Sequence, residues 1–409
     1  MVAQTTQRAA RYHGKEDIRI ERIPRPECGQ GQIKVRSPEK HTSDKQTDRP
    51  PLKIAPAFVG ICGTDLHEFM GGPNFSPVKP HPVTRESIPI GMGHEFSGTI
   101  LEVGSNVSGS FKVGQKCAVQ PTIYCGSCGA CDNGVENACP NGGFIGLSGG
   151  GGGLSEEVVV PAEAVLPLPE NVELDVGGRS IISLLHSGSL PRVRQNHRLL
   201  TNIALVEPLA VAWHAVAASP LASIPANQAS VVVLGGGPIG LAVVQCLIAQ
   251  GTKKIIMSEV AAQRQKFARE FGAHHVLDPR TYDLVTTSRE LCGGDGPDIV
   301  FDCAGVPASL ETACNAIKSR GTVVNVAIWE KAVPFNPNML VFKEGKYVGV
   351  LGYQKEDFKA VIEALADGRL RPQKMITSKI NMEDVVEKGI WALVREKDKH
   401  VKILVDVKA

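Results

Sequence analysis

The chain has 409 residues, 43% of them apolar, with 44 basic against 42 acidic side chains and a formal net charge of +2. That length holds two or three domains with real cores, and the charge balance gives no electrostatic reason to expect nucleic acid or an anionic membrane as a partner. No apolar run reaches the roughly 18–20 residues of a membrane span, and neither "MVAQTTQRAARYHGKED" at the start nor "VDVKA" at the end reads as a targeting signal, so a cytoplasmic location is expected.

In chain order, the first chemistry-bearing stretch is "VGICGTDLHEF", with Cys62, Thr64 and His67; "GMGHEFSG" follows with His94 and Glu95. "CGSCGACDNGVENAC" then sets Cys125, Cys128, Cys131 and Cys139 in a Cys-x2-Cys-x2-Cys-x7-Cys pattern on a Gly-rich loop. Four thiolates at that spacing can close a tetrahedron around Zn2+ with no open position. A 4Fe–4S site and four ordinary surface thiols are the alternatives, and the long last spacing without a second cysteine set favours zinc over iron–sulfur. Cys28, Cys117, Cys246, Cys292, Cys303 and Cys314 fall outside any such pattern and read as small hydrophobes or inert thiols. "LVEPLAVAWHAV" supplies Glu207. Cys62, His94 and a carboxylate would suit a catalytic zinc, which takes three protein ligands and keeps one position open. Each has an ordinary alternative: a core cysteine, a hydrogen-bonded loop histidine, and an acid placed at a helix start by the dipole.

"ASVVVLGGGPIGLAVVQCLIAQGTKKIIMSEV" reads as strand, glycine turn, helix and second strand. In Gly235-Gly-Gly237-Pro238-Ile239-Gly240 the first glycine permits the tight turn, the second lets a pyrophosphate approach the backbone, and the third lets helix pack on strand. The helix N-terminus then faces the phosphates. Glu259 lies nineteen residues past Gly240, where an acid accepts from the ribose 2′-hydroxyl and repels a 2′-phosphate, so NAD is favoured over NADP. Arg264, five residues on, could partly accommodate a phosphate. "GPDIVFDCAGV" and "GTVVNVAI" continue the alternation, which predicts an α/β, doubly wound parallel sheet.

Taken together, "CGTDLHE", "GHEFSG", the four-cysteine run, "GGGLSEEVVVP", "VEPLAVAWHA" and "GGGPIG" resemble the zinc-containing medium-chain dehydrogenase/reductase superfamily over nearly the whole chain, and are most similar to its butanediol dehydrogenase branch, with the sorbitol and xylitol dehydrogenases close by. The resemblance implies a mostly β GroES-like catalytic domain (1–216, completed by 353–409) and a Rossmann domain (217–352), with the active site in the cleft between them. It implies two zinc ions per chain. Cys62, His94 and either Glu95 or Glu207 would hold the catalytic one; Cys125, Cys128, Cys131 and Cys139 the structural one. It makes Thr64 the acceptor of the substrate alcohol's proton and His67 its relay to solvent. A diol or hydroxyketone substrate and a homodimer or homotetramer are also implied. Three functions follow: 2,3-butanediol/acetoin oxidoreductase, polyol dehydrogenase, or a non-catalytic zinc and NAD-binding protein.

Two stretches depart from that pattern. Ser37–Ile54, "SPEKHTSDKQTDRPPLKI", separates "GQIKVR" from "APAFVGICGTDLH", where the family would continue in one strand. Arg179–Ile203 separates "ELDVGG" from "ALVEPL"; it has no acid and carries Arg179, Arg192, Arg194 and Arg198. One reading is two lineage-specific surface loops. The sharper one is two translated introns, which interrupt motifs rather than sit at loop tips where insertions are tolerated. Either way both stretches are expected to make few core contacts, and Cys62, His94 and Glu207 to converge despite them.

Overall fold

The computed structural model describes residues 5–29, 49–109, 111–168, 203–225, 227–329 and 331–409. They form two compact units, one from the N-terminal residues through Glu207 together with Ile376–Ala409, the other Pro208–Met375.

The first unit is mostly β. Strands β1 (Thr6–Gly14), β2 (Asp17–Pro24) and β4 (Ile90–Gly91) form a small sheet in the order β2-β1-β4. The larger sheet runs β10 (Val165–Pro167), β6 (Lys116–Val119), β5 (Glu95–Val103), then β3 (Pro51–Gly60), with β9 (Val158–Pro161) also on β3. A two-stranded ribbon of β7 (Thr122–Ile123) and β8 (Gly143–Phe144) closes the neck of the four-cysteine lobe. The core under these sheets includes Tyr12, Leu52, Ile54, Val59, Phe96, Ile100 and Val119, all buried.

The second unit is the parallel sheet foreseen in the sequence. Its strands are β11 (Ser230–Leu234), β12 (Lys254–Ser258), β13 (His275–Leu277), β14 (Ile299–Asp302), β15 (Thr322–Asn325) and β16 (Lys346–Gly349), in the order β13-β12-β11-β14-β15-β16. The order reverses between β11 and β14, which in open α/β sheets marks a binding crevice at the strands' carboxyl ends. Helices Pro238–Ala249, Ala262–Glu270, Leu284–Leu291 and Pro307–Ala316 connect the strands. The chain then returns to the first unit as β17 (Ile376–Asn381) and β18 (Lys402–Asp406); β18 pairs antiparallel with β3. No helix among the described residues is long and apolar enough to cross a membrane.

The units divide at 207/208 and 375/376, whereas the sequence reading divided the chain at 216/217 and 352/353. The difference lies in two helices, Val206–Ala218 and Lys355–Ala366. They are tied to each other by His214 Nδ1 and Asp357 Oδ2 at 2.8 Å, and nearly all of both belongs to the second unit.

The expected boundaries of the first insert are corrected. Residues 37–48 lie outside the described residues, but Pro51–Ile54 are the opening of β3, with Leu52 opposite both Val103 and Val160 and fully buried, as is Ile54. Leu52 and Ile54 alternate with Lys53, whose ammonium reaches Glu102 at 3.2 Å; that period of two is what places them in a sheet. Residues 179–202 of the second insert lie outside the described residues, and Ile203 is buried. Leu52→Ala should therefore cost about 2–5 kcal/mol, as for other buried leucines. A urea unfolding midpoint unchanged by that substitution would return Leu52 to an unstructured insert.

Candidate functional site

Cys62 leaves β3 and serves as the N-cap of helix Gly63–Gly71. Asp65, in that helix's first turn, accepts from the Cys62 backbone N–H at 2.9 Å and places its other oxygen 3.5 Å from His94 Nδ1. Both that oxygen and His94 Nδ1 are buried without a hydrogen-bond partner. His94 immediately precedes the adjacent strand β5, and Glu95 opens it, paired through Gly60↔Glu95. Donor atoms of Cys62, His94 and Glu95 lie within 4.8 Å of one another. A thiol, an imidazole and a carboxylate at that separation fit a zinc ion. Burial alone would depress the His94 pKa, but the charges of Asp65 and Cys62 more than reverse this and hold it well above the ordinary imidazole value.

Glu207 is not in that set. It is buried at the start of helix Val206–Ala218, near enough to add to the field on Lys402. Of the two carboxylates expected for the site, Glu95 lies within 4.8 Å of the other two donors. Thr64 Oγ1 lies 3.6 Å from Cys62 Sγ, and His67 is exposed one helical turn further on.

The sequence reading missed Lys402. Its ammonium is fully buried in β18 and donates to both Glu95 oxygens at 2.7 Å and to the Ile61 carbonyl at 3.2 Å. Burial would lower its pKa, but Glu95 and then Cys62 raise it, so Lys402 stays charged. A Cβ on Gly60 would fall 2.0 Å from Glu95 Oε2, so only glycine leaves room for this carboxylate. Asp65 could have been found as the third helical residue after Cys62, the acid of a capping box. The sign of Lys402 is a lone lysine inside the apolar run "VKILV".

The other cysteine set also comes together. Sγ distances are 3.5 Å for Cys125–Cys139, 3.5 Å for Cys128–Cys131 and 3.7 Å for Cys128–Cys139. Sulfurs on a zinc tetrahedron with bonds near 2.3 Å stand about 3.8 Å apart, so the four fit that ion. Burial raises the Cys125 thiol, but the Ser127 amide and neighbouring groups outweigh it and bring it down to about 6. Burial pushes Cys139 up to about 12. None of the eleven cysteines is in a disulfide.

In the second unit, Gly235 has φ +93°, and a Cβ on Gly240 would sit 1.8 Å from the Gly235 carbonyl. Gly237 caps helix Pro238–Ala249, with Pro238 and Ile239 as its first residues. Glu259 follows β12; its Oε2 accepts from the Gly236 N–H at 2.6 Å and its Oε1 from the Ala261 N–H at 2.7 Å. Arg264 Nη1 would stand 3.9 Å from a Cβ on Gly237. The turn, the free helix start and the buried acid form one dinucleotide-shaped cradle.

The model of the alcohol dehydrogenase GroES-like domain matches residues 51–170, and that of the zinc-binding dehydrogenase domain matches residues 238–367. The chain belongs to the zinc-binding dehydrogenase family. It is 38% identical to the (R,R)-butanediol dehydrogenase of Bacillus subtilis strain 168 over 97% of this chain and 99% of that protein. The crystal structure of the 2R,3R-butanediol dehydrogenase from Bacillus subtilis superposes with a TM-score of 0.81, covering 98% and 99% of the two chains. Identity to the (R,R)-butanediol dehydrogenase of Saccharomyces cerevisiae is 34%, over 97% of each. The sorbitol dehydrogenase of Bacillus subtilis is more distant, at 26% over 94% of this chain and 93% of that one.

The buried pair yields a prediction. Lys402→Met, measured by urea unfolding with chelator present, should destabilise the protein by about 3–5 kcal/mol, the cost of leaving one buried charge alone. Adding Glu95→Gln should recover a large part of that loss. Strictly additive losses would mean the two groups do not depend on each other.

Proposed function

We propose that the chain is a zinc- and NAD(H)-dependent alcohol dehydrogenase interconverting 2,3-butanediol and acetoin. The observation that carries this is the convergence of Cys62, His94 and Glu95 within 4.8 Å in a member of the zinc-binding dehydrogenase family. Relatives at 38% and 34% identity are (R,R)-butanediol dehydrogenases and one at 36% is a probable (R)-acetoin-forming diacetyl reductase, while a sorbitol dehydrogenase stands further off at 26%.

In this reading Cys62, His94 and Glu95 hold one zinc, with Glu207 as a further carboxylate for the site, and the four clustered cysteines hold another. When bound, zinc polarises a substrate oxygen and NAD takes up hydride. The chain's own residues do the rest. Asp65, 3.5 Å from His94 Nδ1, acts on the ring through its charge. Thr64, beside Cys62, accepts the proton of the substrate hydroxyl, and His67, one turn on and exposed, passes it toward water. Gly235, Gly237 and Gly240 let the pyrophosphate approach the start of helix Pro238–Ala249. Glu259 accepts from the ribose 2′-hydroxyl and repels a 2′-phosphate. The second unit is then the cofactor domain and the first the catalytic domain, with 376–409 as its returning part.

The cytosol suits eleven unpaired cysteines. A homodimer or homotetramer is supported by β16, an edge strand of its sheet with Tyr347 and nearby Phe342 exposed.

NADH formation with (R,R)-2,3-butanediol, sorbitol and xylitol tests the reading. The expected result is a kcat/KM for the diol at least tenfold above either polyol. A polyol preference would move the chain to the neighbouring branch, and no turnover of any alcohol would leave a binding protein. Cys62→Ala should abolish turnover while NADH still binds, read by the cofactor's fluorescence. Glu259→Ala should weaken NAD and narrow the NAD/NADP ratio of kcat/KM; a native preference for NADP would refute the role given to Glu259.

A further inference from the structure

We propose that Arg49 is a positioning residue for the four-cysteine site, acting through the residue that precedes its first thiol; this rests on the reading of that cluster as a zinc site. Arg49 lies just before β3, inside the stretch read from sequence as an insert. Its side chain is 9% exposed. One guanidinium nitrogen meets Glu163 Oε1 at 2.8 Å, and another donates to the Tyr124 carbonyl at 3.0 Å. The guanidinium carbon stands 4.2 Å from the centroid of the Tyr124 ring. The Tyr124 hydroxyl donates to the same Glu163 oxygen at 3.0 Å, which closes a ring of three residues.

Each member comes from a different place. Arg49 leads into the central strand of the larger sheet, and Glu163 lies in the turn between β9 and β10. Tyr124 links β7 to Cys125. The ring therefore fixes both the main chain and the side chain of the residue from which the cysteine lobe departs. A planar guanidinium can bind a carbonyl and a carboxylate while stacking on a ring; an ammonium supplies the charge without the fork or the stack.

The test uses the full-length zinc-loaded protein. Release of zinc to a chromogenic chelator is timed for wild type, Arg49→Gln, Arg49→Lys and Glu163→Gln. Cobalt-substituted samples report the thiolate-to-cobalt charge-transfer absorption. Arg49→Gln is expected to speed release of one of the two zinc ions by about 10–100-fold, the usual effect of losing an outer-shell partner. The other ion should leave at the wild-type rate, and the charge-transfer band should shift. Arg49→Lys should recover part of the rate. If Arg49→Gln does not fold, Glu163→Gln reads the same release.

Unchanged release and an unchanged band overturn the proposal. So does faster release of both ions in step with a lower Tm, which would mark a general loss of stability. A wild-type protein without any thiolate charge-transfer band would instead overturn the reading of the cysteines as a metal site.

Discussion

The buried pair of Lys402 and Glu95 constrains the rest of the catalytic unit. Moving two charges out of water costs several kcal/mol per ion, and only close, fully hydrogen-bonded geometry offsets it. Lys402 meets that condition, since its three protons have three acceptors, two on Glu95 and one on the Ile61 carbonyl. Because Ile61 precedes Cys62, the same ammonium that holds one candidate ligand also fixes the backbone leading to another. The Ile61 N–H donates to Ile403 on the same strand. The last strand is thereby bound through both the N–H and the carbonyl of Ile61, the residue that joins β3 to Cys62. This gives a physical reason for the chain to return to its first unit.

The two metal candidates represent opposite ways to assemble a site. The four cysteines span fifteen residues, so little loop closure separates the unfolded chain from the assembled set. The cost is that the lobe needs anchoring where it meets the sheets. Cys62, His94 and Glu95 lie at the neighbouring ends of two paired strands, and Glu95 is separated from Lys402 by 307 positions. Their placement is inherited from the packing of the sheet. Gly60 shows how tightly, because one methyl group there would displace the carboxylate. Asp65 is the local exception, placed by the first turn of the helix that Cys62 caps.

What the sequence disclosed follows from that contrast. The parallel sheet, the glycine turn, Glu259 and the cysteine cluster are local patterns with fixed spacing, and they were legible. Cys62, His94, Glu95 and Glu207 could all be named as candidates, but which carboxylate lies beside Cys62 and His94 is set by strand pairing and not by spacing. Lys402 was not legible as a partner, because a lysine in an apolar strand signals that it is buried and not what it meets. Asp65 was overlooked for another reason: a cysteine occupies the cap position where serine or threonine is the usual sign.

The misplaced insert boundary has a similar origin. "QIKVR" at 32–36 and "PLKIA" at 51–55 share an apolar–Lys–apolar core, and either could lead into "PAFVGIC". The polar composition from Ser37 onward points to the first as the strand and to the second as part of the insert. Connectivity favours the other choice. "PLKIA" is contiguous with "PAFVG", so β3 runs unbroken from Pro51 to Gly60 beside β5, β9 and β18. Had "QIKVR" led the strand, eighteen residues would have had to leave the sheet between neighbouring ladder positions and return in register. A one-residue bulge is the usual limit of such an interruption. With the strand beginning at Pro51, Arg49 falls where its side chain reaches Tyr124 and Glu163, so the edge of the supposed insert belongs to the functional architecture.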